Sequence, residues 1–192
     1  MAATPTENIP LGFEAPDFSL PNVVTGTQQS LTELRGEKAT VLMFICNHCP
    51  FVKHVLPALV QLGEDYTAKG IKFIAISSND VENYPEDAPD KMRELAMSMN
   101  FPFPYLYDES QAVAKAYSAA CTPDFAIFDQ DLRCVYRGQL DDSRPGNNIP
   151  PSGKDMRQVL DTILQGKALP PASAQKPSIG CGIKWKKGYK KE

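Results

Sequence analysis

The hydrophobic pattern changes period at one point, and the rest of the chain is arranged around it. From Thr40 to Ile45 the residues are continuously apolar after the first, with none of the alternation of a half-exposed strand. That is the signature of a strand covered on both faces. Immediately beyond Cys46-Asn47-His48-Cys49, Val52, Val55, Leu56, Leu59 and Tyr66 recur at helical spacing. Pro50 suits the first turn of this helix, where its missing N–H is no loss. The spacing predicts a helix from Pro50 to Lys69, kinked near Val55 and Leu56 because Pro57 removes a backbone bond one turn back. Gly70 ends it, and Ile71 to Ser77 reads as a second buried strand, completing a βαβ unit.

Before this unit, Phe13 to Leu20 is an extended segment in which Pro16 forbids helix, and Gly26 suggests a hairpin-like turn. Leu31 to Leu34 looks like one helical turn closed by Gly36. After it come an irregular, acid- and proline-rich stretch from Asn79 to Pro89 and a helix from about Asp90 to Met99, with Met92, Leu95, Ala96 and Met99 on one face. Phe101 to Leu106 is extended, and Ser110 is placed to cap a short helix carrying Val113, Ala114 and Tyr117. Cys121-Thr122-Pro123 then precedes a hairpin, Asp124 to Phe128 and Leu132 to Arg137. A last helix, with Ser152 as cap and Asp155 in the capping-box position, buries Met156, Val159, Leu160, Ile163 and Leu164. The division expected is an extension over 1–12, one α/β domain over 13–166 and a tail over 167–192.

Composition narrows the function classes. A chain of 192 residues, 42% hydrophobic, has enough apolar material for one good core. Net charge is −3, so no general basic field recruits nucleic acid or an anionic membrane. Lys184, Lys186, Lys187, Lys190 and Lys191 crowd the C-terminus as a solvated tail. No apolar run approaches the ~20 residues of a membrane-spanning helix, and Met1 to Leu11 lacks the layout of a signal peptide. A cytoplasmic location is expected, as is a C-x-x-C pair that cycles rather than staples.

The chemistry converges on Cys46 and Cys49. A strand-to-helix junction at the carboxyl edge of a sheet is a usual place for chemistry in α/β folds. A helix N-terminus also favours the thiolate that attacks disulfides and peroxides. Cys46, expected to be the more exposed, is read as the attacking thiolate with a pKa below ~8.5, and Cys49 as its resolver. His48 either stabilises that thiolate when protonated or is a solvent-facing loop residue. The pattern gives no second cysteine pair to complete a zinc site, so neither metal nor cofactor is expected. Cys121 is a third redox residue or a small buried hydrophobe, and Cys134 is core. Cys181, flanked by Gly180 and Gly182 that allow close backbone approach, is either a mobile resolver of a sulfenate or disulfide on Cys49 or an unpaired thiol on a disordered end.

The element order resembles the thioredoxin fold from about Phe13 to Leu164: a central mixed sheet flanked by helices, with an N-terminal extension and a C-terminal tail. More narrowly, Ala15-Pro16-Asp17-Phe18, Leu34-Arg35-Gly36, Cys49-Pro50 and Phe125-Ala126-Ile127-Phe128-Asp129 resemble the peroxiredoxin-like AhpC/TSA (redoxin) branch. Peroxiredoxins carry a threonine where this chain has Cys46, and an active-site arginine where it has Thr122-Pro123. In thioredoxins that second place holds a cis proline whose neighbouring backbone pairs with a substrate chain. The resemblance therefore implies a cis Thr122-Pro123 bond in contact with the cysteine pair, with Thr122 and Pro123 as supporting residues. Thioredoxins differ in turn, with Trp at Ile45 and Gly-Pro at Asn47-His48.

The expectation is a thiol-disulfide oxidoreductase working through Cys46 and Cys49 on a protein disulfide or a thioredoxin- or glutathione-type reductant, as monomer or homodimer. The alternatives are a thiol peroxidase with Cys49 as the peroxide-attacking residue, and a non-enzymatic redox sensor or metal-delivery protein.

Overall fold

The computed structural model describes residues 3–7 and 9–188. In chain order the elements are β1 (Ala3–Pro5), β2 (Ser19–Pro21), β3 (Gln28–Ser30), α1 (Leu31–Leu34), β4 (Ala39–Phe44), α2 (Pro50–Thr67), β5 (Ile71–Ser77) and α3 (Pro89–Ser98). They continue with β6 (Tyr105–Tyr107), α4 (Ala112–Ala116), β7 (Cys121–Thr122), β8 (Asp124–Asp129), β9 (Cys134–Arg137), α5 (Lys154–Leu164) and β10 (Ile179–Gly182). The main sheet runs β6-β5-β4-β8-β9. β4 is parallel to β5 and antiparallel to β8, so the sheet is mixed.

The unbroken apolar run of β4 has a direct packing cause. Ala39, Val41 and Met43 face one core with Val52, Leu59, Met92, Met156 and Leu160; Leu42 and Phe44 face another with Phe18, Leu31, Tyr117 and Phe128. A strand alternates its side chains between two faces, and here both are covered. β5 divides in the same way, with Ile71, Phe73 and Ala75 on one side and Ile74 and Ile76 on the other. Helix α2 is continuous through Pro57, so the proline does not break the element.

Two expected caps are shifted by one residue and supplemented by carboxylates. Ser152 stands one residue before the N-cap Gly153, which lies in the left-handed region at φ 71°; the Ser152 Oγ still accepts from the first helical N–H, Lys154, and Asp141 accepts from the backbone N–H groups of Ser152 and Gly153. Gln111, at φ 63°, stands at the start of α4 in place of Ser110, and Asp108 accepts from the N–H of Ala114. In both cases a serine one residue before the N-cap accepts from the first helical N–H, Ser152 from Lys154 and Ser110 from Ala112, and a carboxylate before the helix adds to it. The cap that does form as a capping box is Ser30 with Glu33 on α1. Gly36 is needed for space, since a Cβ there would lie 2.1 Å from the carbonyl oxygen of Ala39.

The two ends, expected as extension and loose tail, pair with each other and with the centre. β10 lies between β1 and β7 in a second sheet, antiparallel to both. Lys184 is likewise docked: its N–H donates to Asn79 Oδ1, and its carbonyl accepts from Asp80 N–H and Gln111 Nε2. Lys190 and Lys191 lie outside the described residues. Among the described residues no helix is long and apolar enough to cross a membrane.

Candidate active site

β4 delivers the chain to the carboxyl edge of the sheet, where Ile45 N–H bonds the carbonyl of Ile76 and the loop 46–48 leads into α2. Cys49 is the N-cap residue of that helix and Pro50 its first residue. All five cysteines stand as buried thiols. Cys46 is 1% exposed and Cys49 0%, so both are buried and no difference in exposure separates the two. Continued packing of the loop against the Thr122 segment covers them.

The Thr122-Pro123 peptide is cis and contacts both cysteines. Cys46 Sγ is 3.4 Å from Thr122 Oγ1, and Cys49 Sγ is 3.2 Å from the Thr122 carbonyl oxygen. The loop is fixed from behind by Asp124, which is fully buried and accepts from Arg137 Nη2 at 2.9 Å, Thr6 Oγ1 at 3.1 Å and Ala120 N–H at 3.2 Å. Ser178 Oγ adds a bond to the Pro123 carbonyl at 2.7 Å.

The protonation order is the reverse of that read from the sequence. The thiol of Cys46 hydrogen-bonds the Cys49 sulfur, and this lowers the Cys49 pKa; the Cys181 thiol, the Val52 N–H and Thr122 act in the same direction against burial. The same bond raises Cys46, reinforced by burial and by the nearby charge of Asp87. The N-cap residue of an 18-residue helix is where the helix dipole favours a thiolate. Cys46 lies three residues too early to share that site. The Thr122 carbonyl serves only the protonated form of Cys49, by accepting its S–H.

His48 is neither the free solvent residue nor the simple thiolate stabiliser. Its Nδ1 lies 2.6 Å from Asp87 Oδ2 and 3.9 Å from Cys46 Sγ, and its ring stacks on Tyr84 at 5.3 Å. Asp87, 0% exposed, also accepts from the N–H groups of Asn47 and His48 and from Asn79 Nδ2. The Cys-x-x-Cys loop is thus moulded around one carboxylate. Sequence reading missed Asp87 because it lies in the irregular stretch after β5. The available signal was topological, since loops at a strand's carboxyl end face such sites. Cys46, His48 and Asp87 could offer a metal ion three ligand atoms within 4.8 Å of one another, but the imidazole is already committed to Asp87. A surface cleft of about 700 Å³, lined by Asn47, His48, Lys53, Pro85, Glu86 and Lys91 among others, opens beside this loop.

Cys181 reaches the pair on an ordered strand, where the sequence left a mobile tail or a disordered end. It lies directly opposite Thr122 in the β10–β7 register, and paired residues project to the same face, here toward Cys46 and Cys49. Gly180 permits this approach, since a Cβ there would stand 1.9 Å from the Thr122 carbonyl oxygen. β10 consequently occupies the backbone edge that a substrate chain was expected to use. Cys121 points the other way, beside Thr6 Oγ1 at 3.9 Å and the Pro123 carbonyl at 3.6 Å, with burial pushing its thiol up. Cys134 is core, its thiol pushed up to about 11 by burial.

The comparisons agree with this fold. An uncharacterized conserved protein from Geobacillus kaustophilus is 58% identical, with a TM-score of 0.95 over 98% of this chain and 99% of that one. A hypothetical protein from Sinorhizobium meliloti is 43% identical, with a TM-score of 0.93 over 96% and 100%. A putative thioredoxin from Neisseria meningitidis, 23% identical, matches with a TM-score of 0.61 over 79% and 89%, which shows the thioredoxin-like fold. No curated protein matches the sequence. The family model for AhpC/TSA matches residues 11–137. With the sheet, the helix-capping cysteine and this match in hand, the chain is a thioredoxin-like redoxin belonging to the AhpC/TSA family.

Proposed function

We propose that the protein is a thiol-disulfide oxidoreductase whose reacting pair is Cys46 and Cys49. The observation that carries this reading is that both sulfurs, at the start of α2, are held against Thr122 beside the cis proline, Cys46 Sγ 3.4 Å from its Oγ1 and Cys49 Sγ 3.2 Å from its carbonyl oxygen. Cys49, the sulfur favoured as thiolate, attacks a disulfide of an incoming partner and releases one thiolate. Cys46 then attacks the Cys49 sulfur of the mixed disulfide and releases the second, leaving Cys46–Cys49 oxidised. Because both sulfurs are buried, attack on a large substrate follows a local opening of the cysteine loop or of β10. Reductant of a thioredoxin or glutathione type resets the pair.

A second reading, peroxide reduction at Cys49 with Cys46 resolving the sulfenate, is favoured by that burial, which a small oxidant passes more easily than a protein. Against it stand the donors around Cys49, which are thiols, a hydroxyl and a backbone N–H rather than an arginine. Equilibration in thiol-disulfide buffers followed by peptide mapping tests the first reading. It should give a single two-electron couple with Cys46–Cys49 as the oxidised product, absent in Cys46→Ser and Cys49→Ser. A pair that stays reduced against oxidised glutathione contradicts it.

A further inference from the structure

Asp87 is a fully buried carboxylate that forms no ion pair with Lys or Arg among the described residues; its one such contact is the imidazole of His48. Buried charges are paired or coordinate metals. The third side chain at this point is a thiol. Among the described residues, Cys46, His48 and Asp87 are the one group of three Cys, His, Asp or Glu side chains whose ligand atoms all lie within 4.8 Å of one another.

We propose that Cys46, His48 and Asp87 bind one zinc-class divalent ion, which the reduced protein holds and the Cys46–Cys49 disulfide releases. The release rests on the reading of Cys46 and Cys49 as the redox pair; the binding site does not. One thiolate, one imidazole and one carboxylate suit Zn²⁺, whereas Mg²⁺ and Ca²⁺ take oxygen donors throughout. Three protein ligands with a fourth position open is the pattern of a zinc site that exchanges a ligand, not of a closed structural one. Spacing could not show it, because Asp87 stands 39 residues from His48 in the loop after β5.

Bonds of ~2.0–2.3 Å around a tetrahedral ion place donor atoms about 3.3–3.6 Å apart. His48 Nδ1 is closer than that to Asp87 Oδ2, at 2.6 Å, and farther than that from Cys46 Sγ, at 3.9 Å. A single shift of the imidazole by roughly half an ångström, from the carboxylate toward the sulfur, corrects both. The ring lies nearly parallel to Tyr84, at 14°, so it can slide in its plane and keep that contact. Each nitrogen then has one task. Nδ1 gives its lone pair to the ion, and the proton it donates to Asp87 without the ion moves to Nε2, which has no hydrogen-bond partner to displace. Asp87 stays oriented, since Oδ1 accepts from the N–H groups of Asn47 and His48 and Oδ2 from Asn79 Nδ2. Ligating carboxylates carry outer hydrogen bonds of this kind. The cleft of about 700 Å³ lined by Asn47 and His48 gives the ion a way in.

The release step balances. Binding displaces the Cys46 thiol proton, so the bound form holds Cys46 as a thiolate. With a partner disulfide RSSR, the Cys49 thiolate bonds one sulfur and RS⁻ leaves; the Cys46 sulfur then bonds Cys49 Sγ and the second RS⁻ leaves. Two electrons pass to the partner, and the ion, unchanged in charge, departs because its sulfur ligand is gone.

The test titrates the reduced, chelator-treated full chain with Co²⁺, which occupies zinc sites and reports a thiolate ligand by charge-transfer absorption, and then with Zn²⁺ in competition. One equivalent should bind with that absorption, and excess Mg²⁺ should not displace it. Loss of an outer partner of a ligand typically costs 10–100-fold, so loss of a ligand in Cys46→Ser, His48→Gln or Asp87→Asn should weaken Zn²⁺ by more than ~100-fold. Cys134→Ala, in the core, should bind as wild type does. Absence of the charge-transfer band in wild type, its persistence in Cys46→Ser, or unchanged Zn²⁺ affinity in His48→Gln overturns the site. If Asp87→Asn does not fold, the other two variants decide. Protein shown by peptide mapping to carry Cys46–Cys49 should lose the band, and a band that persists there overturns the release. A chain that cannot be brought to that disulfide overturns the redox pair instead, while the variants still judge the site.

Discussion

Cys49 caps α2 with its sulfur 3.2 Å from the carbonyl oxygen of Thr122, the residue before the cis proline. The helix start and the cis loop therefore meet on one sulfur, and Cys46 Sγ lies 3.4 Å from Oγ1 of the same threonine. Alkylation of the reduced protein against pH should show a midpoint for Cys49 below the ~8.5 of an ordinary thiol and one for Cys46 above it. Mass spectrometry of partially alkylated protein should find Cys49 labelled first at neutral pH. Labelling of Cys46 first would restore the roles that spacing alone suggested.

The seal over the pair depends on a residue with no side chain. Gly180→Ala would drive a Cβ to within 1.9 Å of the Thr122 carbonyl oxygen, a backbone atom with little room to move. Overpacking of this kind costs about 1–3 kcal/mol, and here it falls on the β10–β7 pairing. The variant should unfold at lower urea, and its Cys49 should alkylate faster than in wild type. Unchanged stability and labelling would mean that β10 is not what covers the site.

Cys181 faces the same sulfur from the other side. In Cys46→Ser, mild oxidation should therefore yield an intramolecular Cys49–Cys181 disulfide, identified by non-reducing peptide mapping. A variant that instead forms only intermolecular dimers or glutathione adducts at Cys49 would show that Cys181 is packed there without being reactive.

Buried thiols also set the alkaline limit of the reduced protein. Cys134 is held up to about 11, and Cys46 and Cys121 are raised as well. Above the unfolded value of ~8.5 the unfolded chain loses these protons while the folded one keeps them, so fewer protons are bound in the unfolded state and stability falls with pH. The stabilisation is complete below ~8.5 and is lost as pH rises toward about 11, at about 1.4 kcal/mol per pH unit for each thiol. Cys49 has the opposite sign: its contribution is complete above the unfolded value of ~8.5 and is lost as pH falls from there through its lowered pKa of about 4. Urea midpoints that stay level between pH ~8 and ~10 would contradict these assignments.

Much of the sheet was legible because β4 and β5 are buried on both faces and their composition records it. The redox loop was legible from its cysteines and from Pro50, and the cis loop from a family resemblance at Thr122-Pro123. What the sequence hid are relations across distance. Asp87 reaches the loop across 39 residues, and nothing in the acidic stretch around it marks which carboxylate is buried. β10 was read as tail because a four-residue strand flanked by prolines and lysines has no period of its own; its place comes from pairing with β1 and β7. The burial of both cysteines was hidden for the same reason, since it comes from the Thr122 loop, 73 residues from Cys49 along the chain. The start of α2 at Pro50 was legible from the pattern; which of the two sulfurs it favours was not, because Cys49 and not Cys46 is the N-cap residue.

The most direct measurement sets two reactions of the reduced protein side by side in stopped flow: consumption of hydrogen peroxide and reduction of a model protein disulfide. Peroxide attack asks for positioned donors at the departing oxygen, and the loss of one such donor typically costs ~3 kcal/mol. The account predicts disulfide reduction that needs both Cys46 and Cys49, and peroxide consumption slower by several orders of magnitude than in dedicated peroxidases. Fast peroxide consumption abolished by Cys49→Ser but retained in Cys46→Ser, with no disulfide reduction, would contradict it and make the protein a peroxidase.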